Sequence, residues 1–282
     1  MTSESVSLLW NPAALAARID DEDVVVLDVR RGERYANGHI PGARNFSVYG
    51  VNTYDSDPAP LASFTKMWAF QLVGAGIRRD DVVVVCSEFT DESAARAFWF
   101  LEYLGHERIA VLDGGVRAWE AAGQPLTHEA TPPKASPYPF EVVMSVCTGW
   151  SDVVAAIEDP TTVILDTRSD EEWYGEDARG TARAGAVPSA VHLEWVHNLD
   201  DRGRMLDERT LRERYASVGI TSETPVIAYC NTGYRSAHAY LALRLLGHTD
   251  VRNYVASWQE WGNRMECPVE VHGRNRVRDD PG

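Results

Sequence analysis

The chain repeats itself, and that repetition limits its folds more than any other feature. Residues 24–43 read VVVLDVRRGERYANGHIPGA, and residues 163–190 read VILDTRSDEEWYGEDARGTARAGAVPSA. Each gives an apolar run, then Asp-x-Arg, an acidic and aromatic stretch, and a Gly-x-x-Pro-x-Ala turn. The second copy carries nine extra residues before that turn. DDVVVVCSEF then matches ETPVIAYCNT, AARAFWFLEYLGH matches SAHAYLALRLLGH, and LDGGVRAW matches YVASWQEW. Four blocks in one order specify a duplicated unit, and 282 residues suit two domains.

Within each copy, short runs such as Val82–Val85 and Val226–Tyr229 are continuously apolar, as strands buried on both faces must be. Ala94–Leu104 and Ala237–Leu246 carry helix-period apolar residues, each closed by glycine. Alternation of strand and helix predicts an α/β protein of two units, each a mostly parallel sheet flanked by helices. Between the copies, QPLTHEATPPKASPYPF has five prolines in 17 residues and reads as a stiff linker. The expected organisation is residues 1–124, linker 125–140, residues 141–272, and a polar tail at 273–282 that is expected to be disordered.

Composition removes several functions. The net charge of -15 repels phosphate backbones, so nucleic acid is not an expected partner. No apolar run approaches the roughly 18 residues of a membrane span. The first residues lack a basic segment, so no secretory signal is expected. Cys86, Cys147, Cys230 and Cys267 are widely spaced and form no CxxC, which suits free thiols in a reducing cytoplasm. No metal or organic cofactor is implied.

The stretch YCNTGYRS, from Tyr229, carries the chemistry. A lone cysteine is more often an inert core thiol. Here Cys230 stands where a strand ends, and a helix begins a few residues later. Amide N–H groups and the positive end of the helix dipole therefore face the sulfur and favour the thiolate. Arg235 adds a cation that stays charged, and Gly233 permits the positive φ that an inward-facing ring of amides requires. Thr232 and Ser236 could donate hydroxyl hydrogen bonds, or Ser236 could cap the helix. Asn231 and Tyr234 complete the loop; Tyr234 either lines a pocket mouth or faces solvent. Cys230 and Arg235 are thus the candidate catalytic residues. Asn231, Thr232, Gly233, Tyr234 and Ser236 are the candidate substrate-binding set. A phosphoryl-transfer loop of the tyrosine-phosphatase type would place five residues between Cys and Arg. Four intervene here, and the smaller ring suits a single sulfur.

LDVR…GHIPGA, the cysteine loop after a buried strand, and LDGG…W resemble the rhodanese domain. The whole chain from Leu27 to Val269 resembles the tandem-rhodanese sulfurtransferases of thiosulfate and 3-mercaptopyruvate. The resemblance implies a catalytic C-terminal copy and a degenerate N-terminal one. It implies sulfur transfer from a small anionic donor, thiosulfate first, to a thiol or cyanide through a Cys230 persulfide. A 3-mercaptopyruvate sulfurtransferase, or a non-catalytic sulfur carrier or regulatory module, is the alternative. Glu172 stands where some thiosulfate-specific relatives carry arginine, which counts against strict thiosulfate preference. Arg183 is a candidate substitute cation or an exposed charge.

In the N-terminal copy, Cys86 ends the strand. Aligning Gly105 with Gly247 makes CSEFTDES two residues longer than its partner loop. It lacks Gly and Arg and carries Glu88, Asp91 and Glu92, which would raise a thiol pKa. An inactive copy is expected. Asp28 with Arg30, and Asp166 with Arg168, are expected to pair structurally. Trp195 and Trp258 are expected in the core or at a pocket wall, while Cys147 and Cys267 fit no site pattern.

Overall fold

A computed structural model describes residues 6–274. The N-terminal copy holds β1 (Leu9–Trp10), α1 (Pro12–Ala16), β2 (Val24–Asp28), α2 (Gly32–Ala36), β3 (Arg44–Asn45), α3 (Pro58–Ala75), β4 (Val82–Cys86), α4 (Glu92–Tyr103), β5 (Ile109–Leu112) and α5 (Gly115–Ala121). The C-terminal copy holds β6 (Cys147–Thr148), α6 (Trp150–Ile157), β7 (Val163–Asp166), α7 (Asp170–Trp173), β8 (Val191–His192), α8 (Glu208–Ser217), β9 (Val226–Tyr229), α9 (Tyr234–Leu245), β10 (Val251–Tyr254) and α10 (Ser257–Trp261). The sheets run β1-β5-β4-β2-β3 and β6-β10-β9-β7-β8, with parallel pairing throughout. This is the α/β architecture expected from the repeats.

The central strands β4 and β9 lie between helical layers, so Val82–Val85 and Val226–Tyr229 are wholly buried. Each valine or isoleucine there stabilises the fold by about 1.5–3 kcal/mol as an upper bound. Asp28 and Asp166 close β2 and β7 in the same way. Arg30 grips Asp28 through Nε and Nη2, and Arg168 does so to Asp166. Burying these charges is tolerable because every pair is bidentate and further hydrogen-bonded.

The strand register corrects one expectation. Asp28 lies opposite Cys86, and Asp166 lies opposite Tyr229. Cys86 is therefore the counterpart of Tyr229, and Ser87 is the counterpart of Cys230. The bonds from the last helices agree: Val116 N–H donates to Ser87 O, as Trp258 N–H does to Cys230 O. The N-terminal loop is thus one residue longer than its partner, not two. A run of four valines offers no local mark for the strand end, so sequence alone misplaced the thiol.

Helices α4 and α9 pack against each other across the domain interface. Along α4, Ala94 to Leu101 are buried on every side, because one face meets the sheet and the other meets α9. Glu102 accepts from Tyr240 and Arg244 at the ends of this contact. A second contact joins the loop before α3 to α10. Ser56 donates to Glu260 through its N–H and hydroxyl, and Trp150 Nε1 donates to Asp57 at 2.8 Å. Arg264 lies among Asp55, Asp57 and Glu260, so this carboxylate cluster holds an internal cation.

Residues 128–143 form neither helix nor strand and run over the N-terminal copy. His39 Nε2 meets Glu129 O, and Ser136 N–H donates to Val73 O. Of the expected tail, residues 275–282 lie outside the described residues. Arg274 pairs with Asp170, Glu171 and Glu176.

Candidate active site

Cys230 follows directly on β9, at the carboxyl end of the central strand, where open α/β sheets place their ligands. Its residue is 1% exposed. Gly233 then takes φ 84°, ψ 5° and caps α9, which starts at Tyr234. That left-handed turn aims the loop amides inward. Gly233 N–H donates to Cys230 Sγ at 3.1 Å, and Ser236 Oγ lies 3.5 Å from the same sulfur. Ser236 is therefore beside the thiol rather than at the cap. Asn253 Oδ1 lies 2.7 Å from the same hydroxyl and competes with the sulfur for its one proton. Thr232 contributes its backbone N–H.

Burial alone would push the Cys230 thiol up. The Arg235 charge, the Ser236 hydroxyl and the Ser236 and Thr232 amides outweigh it and hold the thiol below its ordinary value. The other thiols behave oppositely. Burial pushes Cys86 well up, Cys147 to about 12 and Cys267 to about 11.

Arg235 is not free. Its Nη1 and Nη2 both donate to Glu172, the second at 2.8 Å. Glu172 is buried in α7, and the pair holds its carboxyl below the usual range despite burial. Arg179 approaches the same carboxylate at 4.0 Å. Arg183 is neither a substitute cation nor an exposed charge: it donates to the carbonyls of Trp261, Gly262, Arg264 and Cys267 and clamps α10. Asn231 Oδ1 faces Gln259 at 3.5 Å. The Tyr234 hydroxyl donates to Val48 O and Val51 O, tying the loop to the N-terminal copy. Trp258 is buried under Tyr229, and Trp195 packs on His238. An apolar crevice of about 440 Å³, lined by Leu61, Tyr103, Phe140 and Met144 among others, includes none of the loop.

Two residues escaped the sequence. Ser257 sits at φ 53°, where its counterpart Gly115 has φ 57°. A serine in this conformation costs of order 1 kcal/mol. Its hydroxyl accepts from Cys230 N–H at 3.1 Å and stands 4.0 Å from Sγ. The Gly-to-Ser difference between LDGGVRAW and YVASWQEW is the signal that could have found it. Arg96, on α4 of the other copy, donates from Nη1 to Gly233 O at 3.1 Å. It is wholly buried among the rings of Phe64, Trp99 and Tyr234. Nε and Nη2 find no acceptor, and no carboxylate among the described residues pairs with it.

The N-terminal loop fills the same space differently. Asp91 caps α4 and accepts from the Ser93 and Ala94 amides at 3.0 and 3.1 Å, and Ser87 Oγ donates to its other oxygen. A carboxylate thus occupies the amide cradle, and burial lifts it to about 6.

The rhodanese-like domain model matches this chain twice, over residues 11–122 and 150–264. The chain belongs to the rhodanese family. It is 31% identical to the thiosulfate sulfurtransferase of Azotobacter vinelandii, over 95% of this chain and 98% of that one. It is also 31% identical to the sulfur carrier protein TtuD of Thermus thermophilus, over 88% of each. Among solved structures, the anaerobic ergothioneine biosynthesis enzyme of Chlorobium limicola superposes with a TM-score of 0.85 at 21% identity, covering 95% of this rhodanese and 71% of that chain. That likeness is one of fold. No helix of the described residues is long and apolar enough to cross a membrane.

Proposed function

We propose that this rhodanese is a sulfurtransferase that takes sulfane sulfur from thiosulfate through a persulfide on Cys230. The carrying observation is the thiol with a Gly233 amide at 3.1 Å, the Ser236 hydroxyl at 3.5 Å and the Arg235 charge beside it. The Cys230 thiolate attacks the outer sulfur of thiosulfate. The S–S bond breaks with its electron pair going to sulfite, which leaves. The persulfide's terminal sulfur carries the charge and is held by the loop amides and the Ser236 hydroxyl. Thiol or cyanide then attacks that sulfur and releases the Cys230 thiolate, so the cycle needs no external oxidant or reductant. Arg235 orients the anionic donor, with Glu172 partly offsetting its charge.

Covalent transfer in two halves gives parallel initial-rate lines. Incubation with thiosulfate should add one sulfur to the intact mass, and cyanide should remove it over many turnovers. Loading should be half-maximal below the ordinary thiol value of about 8.5, because the thiolate is favoured. Cys230→Ala that kept turnover, or intersecting rate lines, would defeat the proposal. A second reading, a carrier that holds sulfur for a protein acceptor, draws on the similarity to TtuD. A stable adduct with no cyanide turnover would select it. A kcat/KM for 3-mercaptopyruvate more than about tenfold above thiosulfate, or about 1.4 kcal/mol, would change the donor and keep the mechanism.

A further inference from the structure

The N-terminal copy has a cleft where the C-terminal copy has its catalytic loop. It has a volume of about 420 Å³ and is lined by Arg30, Arg31, Arg34 and Arg117, with Ser87, Glu88 and Ser93. Arg30 is committed to Asp28, and Arg117 to Glu88 at 2.7 Å, with Arg30 Nη1 also 3.4 Å from Glu88. Arg31 and Arg34 have no carboxylate partner among the described residues. Arg31 lies 3.4 Å over the exposed ring of Tyr49, which keeps its fork at the cleft mouth. In a chain of net charge -15, such a concentration of arginine is out of keeping with the surface around it.

Comparison of the copies sharpens the point. Counting from the paired Asp28 and Asp166, Arg31 stands where the catalytic copy has Ser169, and Arg34 where it has Glu172. Arg117 stands where it has Gln259, since both donate from backbone N–H to the matching loop carbonyl. Ser93, the second residue of α4, takes the place of Arg235. The cleft at Cys230 sets Arg235, with Arg179 4.0 Å off, against Glu172. The N-terminal cleft lacks that glutamate and has three arginines in place of Ser169, Glu172 and Gln259, with one lining carboxylate, Glu88, in place of Asn231. Asp91 blocks the amide cradle, so nothing here can activate a nucleophile; what remains is recognition of charge.

We propose that this cleft is a binding site for a small dianionic oxyanion of sulfur or phosphorus, held by the guanidinium groups of Arg31 and Arg34. Guanidinium forks match the oxygen edges of such ions bidentately. The ligand replaces the carboxylate that Arg235 meets in the other copy, and it binds without reacting.

The test uses the full chain with Cys230→Ser, so that the catalytic sulfur takes no part and the outcome does not depend on the proposed turnover. Backbone amide resonances of Glu88 and Ser93 are followed by NMR during separate titrations with thiosulfate, sulfate and phosphate, with chloride holding ionic strength constant. Saturable shifts at these amides are expected with at least one of the three ions. Arg34→Glu, which restores the catalytic copy's residue, should weaken that binding at least tenfold. Arg31→Ser should weaken it independently, and both positions are exposed, so folding is preserved. Preference for thiosulfate and sulfate over phosphate identifies a sulfur oxyanion; the converse identifies phosphate. Absence of saturable shifts with all three ions, or identical binding in Arg34→Glu, overturns the proposal.

Discussion

Arg96 is the residue whose cost most needs an explanation. A buried guanidinium with two unmet donors and no carboxylate is expensive by several kcal/mol. Its neighbour across Gly233 is Cys230, whose thiolate is the available countercharge. Arg96→Met keeps the volume and removes the charge. It should raise the Cys230 pKa, read from thiolate absorbance near 240 nm. Because the other three thiols are pushed up by burial while Cys230 is held down, the first thiolate transition met as pH rises reports Cys230. An unchanged titration in a folded Arg96→Met protein would show that Arg96 only packs the interface. Glu172 acts in the opposite sense. Glu172→Gln keeps an acceptor for Arg235 and removes the negative charge, so thiosulfate KM should fall roughly three- to tenfold with kcat nearly constant. A rise in KM would show that Glu172 is needed to position Arg235.

The Cys230 loop depends on one glycine. A Cβ on Gly233 would meet Val255 O at 2.5 Å and Arg96 Nη1 at 2.6 Å, besides forcing an L-residue to φ 84°. Gly233→Ala should therefore cost at least about 1–2 kcal/mol of stability in urea unfolding, and cut persulfide loading further because the 3.1 Å amide contact shifts. This glycine was legible in the sequence, as were the cysteine, the arginine five positions after it, the helix start and the duplication. All are local, set by spacing along a few turns of chain. What was not legible came from docking. Glu172 reaches Arg235 across 63 residues and Arg96 reaches Gly233 across 137. Neither carries a periodic or spacing signal. The offset of Cys86 from Cys230 lay in strand register, which a uniform valine run conceals and which the opposing Asp28 reveals.

At the scale of the molecule, acid should loosen the interface. His238 is buried, with Nε2 on Thr90 O at 3.0 Å, and burial pushes its pKa down to about 4. Its stabilising contribution is present above the unfolded value near 6.5 and is lost as pH falls from there toward 4. The full effect is on the order of 3 kcal/mol. Asp91 works against it: lifted to about 6, it favours the folded state when protonated. Comparison with His238→Gln separates the two. Urea stability of the wild type should fall more steeply between pH 6.5 and 4 than that of the variant, and parallel curves would remove His238 from the account.

Arg96 and His238 occupy the same position on α4 and α9, and each donates to a backbone carbonyl in the opposite copy's loop, Gly233 O and Thr90 O. This reciprocity is the mark of an isologous two-fold contact, the kind by which identical subunits form a dimer. Covalent fusion fixes the stoichiometry at one to one and removes the need for the halves to stay identical. Each position of the old symmetric pair can then be set for the loop it faces. The one behind the thiol carries a permanent cation, and the one behind the capped, thiol-free loop is a neutral imidazole. Broken symmetry at that single site would give the N-terminal half a direct share in the sulfur chemistry proposed for its twin.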